Sequence, residues 1–237
     1  MKKALYTLDI NGYSPEITEI TYPRFASYAR KIGADFHIIK DRKFPDNDIE
    51  YEKLQIYELG KEYDWNIYID SDALLYESLF DVTAFLTKDT VMHYGIDKAD
   101  ERWTLDKYFL RDGRMISSCN WFAVASNWCL DLWHPPEIAE EEAIRCIHPL
   151  PSELEHGVTA KHLVSDYLLS RNIARFGLKV TTFQELSKKI GREGNYFYHQ
   201  YTIPLEEKIV KLRECVKIWK RIDRGEKPQI EITEVKG

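Results

Sequence analysis

No window of the sequence approaches the roughly 20 consecutive apolar residues that a membrane-spanning helix needs. The N-terminal Met1-Lys2-Lys3-Ala4-Leu5-Tyr6 carries the charge of a signal peptide, but Thr7, Asp9 and Asn11 follow at once and leave no hydrophobic core or small-residue cleavage site. Cysteine is sparse. Cys119, Cys129, Cys146 and Cys215 have neither C-x-x-C spacing nor the density of a disulfide scaffold, so the expected compartment is a reducing cytoplasm. A basic excess is also missing. With 33 Lys and Arg against 39 Asp and Glu the net charge is −6, and basic residues gather only toward the C-terminal end, which argues against nucleic acid as a partner. No internal repeat or low-complexity segment interrupts the chain. What remains is 44% hydrophobic and 30% charged residues over 237 positions, enough for one large domain or two small ones with a substantial core.

The order of elements gives the fold class. Residues 3–9 form a short apolar strand, and Tyr22 to Ile32 has helical spacing through Tyr22, Phe25, Ala26 and Ala29, closed by Gly33. Asp35 to Ile39 is a second strand. From Ile49 to Tyr63 a helix is expected, with Tyr51, Leu54 and Tyr57 on one side, and a third strand ends at Asp70. Strand, helix, strand, helix, strand specifies an α/β protein with a mostly parallel sheet covered by helices. Thr90 to Tyr94 and Trp121 to Ala125 read as further strands, with a loop-rich segment from Gly95 to Arg114 between them. Glu137 to Gly157, with Glu140, Glu141, Glu142, Pro149 and Pro151, suits a solvated connection or a lid. Thr159 to Phe176 is helical and ends at Gly177, Leu178 to Phe183 is a last short strand, and Pro204 to Arg224 is a terminal helix whose acids and bases match the helix dipole.

Tyr63-Asp-Trp-Asn-Ile-Tyr-Ile-Asp-Ser-Asp-Ala-Leu-Leu75 carries the chemistry. Asp70 and Asp72 end an apolar strand, where side chains i and i+2 share a face and two carboxylates converge on one hard divalent cation. A solvated turn is the alternative, but apolar residues stand on both sides of the acids. In parallel sheets ligands bind beyond the carboxyl ends of strands, and these acids fall there.

Tyr6-Thr7-Leu8-Asp9-Ile10-Asn11-Gly12-Tyr13, Lys53-Leu54-Gln55-Ile56-Tyr57 and Asp70-Ser71-Asp72 together resemble the glycosyltransferase-A fold family, in particular its glycogenin-like and galactosyltransferase-like members. The resemblance implies a Rossmann-like nucleotide-binding half over about 1–76, an acceptor and metal part over about 77–203, and a C-terminal helix and tail over 204–237. It implies a donor pocket of Tyr6, Thr7, Asp9, Tyr13, Lys53, Asp70 and Ser71, with Asp70, Asp72 and a distant His199 as ligands of Mn2+ or Mg2+. The cation would bridge the two phosphates of a nucleotide sugar, a uridine diphosphate sugar first among them, and stabilise the leaving group. Asp166 is implied as the carboxylate that orients a sugar hydroxyl or removes the acceptor proton. The family pattern His-x-x-Gly-x-x-Lys is broken here. His199-Gln200-Tyr201-Thr202-Ile203-Pro204-Leu205 lacks both the glycine and the lysine, so the second phosphate contact is left unassigned, with Lys208 and Arg192 as candidates to replace it.

The expected activity is therefore a metal-dependent hexosyl transfer from a nucleotide sugar to a hydroxyl of a glycan, a lipid-linked acceptor or a protein. Two alternatives stand beside it. One is a phosphohydrolase of the haloacid dehalogenase type, which also ends a strand in Asp-x-Asp but needs that motif near the chain start and Thr or Val where Leu74 stands. The other is a non-catalytic module that binds glycan or nucleotide. Along the terminal helix Ile209, Leu212, Val216 and Trp219 form an apolar stripe beside Lys211, Arg213, Lys217 and Lys220, which suits packing on the domain or peripheral contact with an anionic membrane.

Overall fold

A computed structural model describes residues 1–98, 105–113, 116–147, 159–200 and 203–226. Strand β1 (Lys3–Leu8) is buried along its whole length, as a central strand covered on both faces must be. Helix α1 (Pro15–Ile32) starts seven residues before the apolar spacing at Tyr22 suggests, because Pro15 suits the first helical position and Ile17 and Thr21 extend the buried face. It stops at Gly33, whose φ of 67° is open to glycine without strain. Strand β2 (Ala34–Ile39) and strand β3 (Trp65–Ile69) pair with β1 on either side, both parallel to it.

The connection between β2 and β3 is not the long helix expected. It is a 3-10 turn over Ile49–Gln55, a short helix α2 (Ile56–Leu59) and a second 3-10 turn over Gly60–Glu62. The reason lies in burial, since Tyr51 to Gln55 are all enclosed and no amphipathic α-helix buries five successive residues. Glu52 organises this stretch. Its carboxylate accepts from Arg42 Nε at 2.7 Å, from the backbone of Lys43 and Phe44, and from Gln55 Nε2 at 2.7 Å.

Beyond β3 come strand β4 (Leu74–Leu75), strand β5 (Thr90–Lys98), helix α3 (Lys107–Asp112) and strand β6 (Ile116–Ser126). The stretch expected to be loop-rich is thus partly regular, although residues 99–104 and 114–115 lie outside the described ones. Asp106 caps α3 through the Tyr108 amide at 2.7 Å and ties it to the next layer through Tyr167 Oη at 2.6 Å and Arg171 Nε at 2.9 Å. Helix α4 (Glu140–Ile147) corrects the expectation of a solvated connection or lid at this point. Its Ala143, Cys146 and Ile147 are buried against helix α5 (Ala160–Phe176), while residues 148–158 lie outside the described part.

Strand β7 (Lys179–Thr182), helix α6 (Phe183–Lys189), strand β8 (Phe197–Tyr198) and helix α7 (Leu205–Asp223) follow, the last of the elements among the described residues. The segment expected as the last strand is followed by β8, whose two residues are too few to leave a periodic signal and pair with β4. The main sheet has six strands in the order β2-β1-β3-β6-β5-β7, and only β6 runs against the rest. The fold is α/β with a mostly parallel mixed sheet flanked by helices. Alternation along the strands feeds two cores: Ala4, Tyr6 and Tyr68 face the layer of α4 and α5, whereas Leu5, Ile67 and Ile69 face the layer of α1 and α6. Among the described residues no helix is long and apolar enough to cross a membrane.

Candidate functional site

The carboxyl ends of β1 and β3 lie side by side, and both chains turn there. After β1 the backbone passes through the left-handed conformation at Asn11 (φ 57°) and Gly12 (φ 68°). After β3 it turns tightly, with the Ala73 amide bonded to the Asp70 carbonyl at 3.1 Å. Convergence of the two acids therefore comes from this turn rather than from the strand alternation expected, because the extended chain ends at Ile69. Buried Ser71 pins the turn to β1 by donating to the Leu8 carbonyl and sharing a 3.3 Å contact with Thr7, while Thr21 of α1 donates to the Ser71 carbonyl at 2.7 Å.

One ligand atom from each of Asp70, Asp72 and His199 lies within 4.8 Å of the others. Two carboxylate oxygens and an imidazole nitrogen suit a Mn2+-like ion, which accepts oxygen and nitrogen together, so the residues fit the cation that the sequence resemblance implies. His199 is steered by Trp121, whose ring stacks on it with centroids 4.7 Å apart, and its Nε2 stands 3.3 Å from Asp72 Oδ1. The other oxygen of Asp72 meets Lys208 Nζ at 2.5 Å. Burial by itself would raise the Asp72 carboxyl. The bond and charge of His199 and the Lys208 ammonium outweigh it and hold the group well below the usual carboxylate range.

On the other side of the turn, Asp70 accepts from Tyr68 Oη at 2.6 Å and stands 3.7 Å from Lys53 Nζ. Lys53 is not the solvated lysine that a position near a helix start suggests. It is 1% exposed, donates to Asn120 Oδ1 at 3.0 Å and Ser165 Oγ at 3.3 Å, and pairs with Glu50 at 2.7 Å. Desolvation works against its charge, yet Asp70, Glu50 and Asp166 together push its pKa above the ordinary lysine value. Asp166, partly accessible on α5, accepts from the Asn120 amide at 3.2 Å. Its carboxyl is raised to about 7, first by desolvation and then by Asp70 and Glu50, against the lowering effect of Lys53 and the Asn120 amide.

The remaining expected residues divide. Tyr13 reaches the site, and burial followed by the charges of Asp72, Asp70 and Glu50 raises its phenol. Thr7 and Ser71 support the turn from beneath. Asp9 lies 3.8 Å from Lys40 and keeps a buried Oδ1 without a hydrogen-bond partner among the described residues. Tyr6 points away, into the core, with its hydroxyl on Asn66 Oδ1 at 3.2 Å and its ring stacked on His37. Of the two cations weighed as replacements for the missing lysine, Lys208 stands in the site, whereas Arg192 covers the Phe80 and Phe85 rings. Sequence reasoning missed Glu50. Its only signal there was its place three residues before Lys53, the spacing of neighbours on a helical turn.

No protein-family model matches the chain, and no curated protein does. Among solved structures it is similar to a glycosyltransferase involved in the glycosylation of the major capsid of PBCV-1, at 11% identity and a TM-score of 0.49, over 89% of this chain and 99% of that one.

Proposed function

We propose that this protein is a metal-dependent glycosyltransferase that moves a hexosyl group from a nucleotide diphosphate sugar, a uridine diphosphate sugar in the first instance, to an acceptor hydroxyl. The observation that carries the proposal is the Asp70, Asp72 and His199 cluster, whose acids follow the carboxyl end of β3 beside that of its parallel neighbour β1. These three residues would hold Mn2+ or Mg2+, and the bound ion would neutralise the diphosphate so that it leaves more readily.

The chain's own residues complete the reading. Tyr68 and Lys53 fix Asp70 from behind, so that its carboxylate is oriented before any ligand arrives. Asp9 and Tyr13, on the loop after β1, would line the donor side. Asp166 would take the acceptor proton or orient a sugar hydroxyl, and a carboxyl raised to about 7 is poised for either task near neutral pH.

Calorimetric titration with MnCl2, followed by a panel of nucleotide sugars and product analysis, tests the proposal. The expected result is Mn2+ binding that Asp72→Asn weakens by at least the roughly 10–100-fold that loss of an outer-sphere partner already costs, with turnover falling in parallel. Absence of nucleotide binding, or an Asp72 variant indistinguishable from the parent, would overturn it. Hydrolysis of simple phosphate esters with Mg2+ would favour the haloacid dehalogenase alternative, and glycan binding without product the non-catalytic one.

A further inference from the structure

Lys208 is in an unusual place for a lysine. It is the fourth residue of α7, in the turn where the helix dipole favours acids, and Glu206 and Glu207 just before it follow that rule. Its side chain is nonetheless 11% exposed, with the ammonium on Asp72 Oδ2 at 2.5 Å. A cation that is both buried and unfavourably placed on its own helix needs a compensating partner, and Asp72 supplies it. The same carboxylate belongs to the cluster of possible metal ligands.

The helix does not depend on this contact for its place. Leu212 and Trp219 are buried in a cluster with Ile17 and Leu74. Trp219 stacks on Tyr76 with centroids 5.0 Å apart, and Tyr76 donates to Asp223 near the far end. The first turn of α7 can therefore give up its ion pair while the rest of the helix stays docked.

Lys53 shows the opposite design. It touches Asp70 at 3.7 Å but is held by Glu50, Asn120 and Ser165 as well, so it has no freedom to leave. Among the described residues Lys208 has one carboxylate partner, Asp72. His199 holds the other oxygen of Asp72.

We propose that Lys208 is a tethered counter-ion of the metal site: its ammonium holds Asp72 in the metal-free protein and is displaced from that carboxylate when a divalent cation binds, coupling cation occupancy to the first turn of α7. This rests on the metal site of the proposed transferase. A unit positive charge this close to a ligand oxygen opposes a divalent ion, and removing it should tighten the site.

The test is Mn2+ affinity by calorimetry for the parent, Lys208→Met and Lys211→Met. Lys211 pairs with Glu207 at 2.7 Å on the same helix, so its variant changes the net charge equally without touching Asp72. Lys208→Met is expected to bind Mn2+ at least about 10-fold more tightly than the other two. In the parent, adding MnCl2 should also speed hydrogen exchange at the amides of residues 205–212 and leave residues 213–223 unchanged. If Lys208→Met does not fold, Lys208→Gln makes the same comparison. Affinity within threefold of the parent, or a gain shared by Lys211→Met, overturns the proposal, as does unaltered exchange. Binding by the Lys208 variant when the parent binds no Mn2+ supports it in its strongest form. Absence of Mn2+ binding in all three proteins removes the metal site, a failure separate from parent binding that Lys208 does not influence.

Discussion

The Asp70 to Asp72 turn divides two polar regions that look alike in composition and differ in construction. On the α5 side, Lys53, Glu50, Asn120, Ser165 and Asp166 share bonds within one another's reach, and the cation is fully enclosed. On the α7 side, Asp72 meets His199 through one oxygen and Lys208 through the other. A cation held by four groups is a fixed part of the frame. A cation held by one carboxylate is an occupant, and only the second arrangement leaves a place where another cation can compete.

The contrast is sharpened most by removing the fixed cation. Lys53→Met should destabilise the protein by roughly 3–5 kcal/mol, because Glu50, Asp70 and Asp166 are left facing one another with no counter-charge. Urea denaturation measures it, and a loss below about 1 kcal/mol would mean that the region is as loosely built as the Asp72 side. Next comes Asp166. Its carboxyl, raised to about 7, keeps its proton in the folded state at pH values where the unfolded chain, near 3.8, has lost it. Between those values the folded state binds more protons, so stability falls as pH rises. Asp166→Asn lacks this slope, and its stability relative to the parent should improve from pH 4 to pH 8 by up to about 4 kcal/mol. A gap independent of pH would remove the desolvated Asp166 from the account. Other titrating groups, including His93, which burial lowers to about 4, are common to both proteins and drop out of the difference.

On the other side of the turn the effects should be smaller and tied to helix docking. Leu212→Ala leaves a cavity where the side chain is wholly buried and should cost about 3 kcal/mol, with faster hydrogen exchange along α7. Unchanged exchange would show that α7 is held by something other than its apolar stripe. The smallest effect is expected from Tyr76→Phe. It removes an exposed hydrogen bond to Asp223 but keeps the ring on Trp219, so thermal denaturation should register no more than about 0.5–1 kcal/mol.

The same division marks what was legible in the chain. β1, β2, β3 and the body of α1 could be located because short apolar runs and helical spacing are local signals, and Gly33 and Gly177 stop their helices where expected. The stretch after Asp48 departs from the expected helix because polar residues are buried beside Tyr51 and Leu54: Glu52, Lys53 and Gln55 are satisfied by partners more than a helical turn away, which periodicity does not register. α4 was misjudged for a related reason, its acidic first turn masking the buried Ala143, Cys146 and Ile147. The stripe of α7 was legible as amphipathic, and its burial against Ile17 and Leu74 puts Leu212 and Trp219 inside the domain rather than on a free surface.

By itself, then, the sequence determined the alternation of strands and helices, and with it a mostly parallel sheet whose carboxyl edge carries Asp70 and Asp72. These follow from local propensity and pattern, in which each residue is judged with its near neighbours. Tertiary structure alone decided that a turn rather than a strand brings the acids together and that Lys53 and Lys208 flank them as cations of different freedom, and it set His199, 127 residues downstream of Asp72, against the two acids. Such choices depend on desolvation and on charge at a few ångströms. Both are set by which distant segments meet when the sheet is covered.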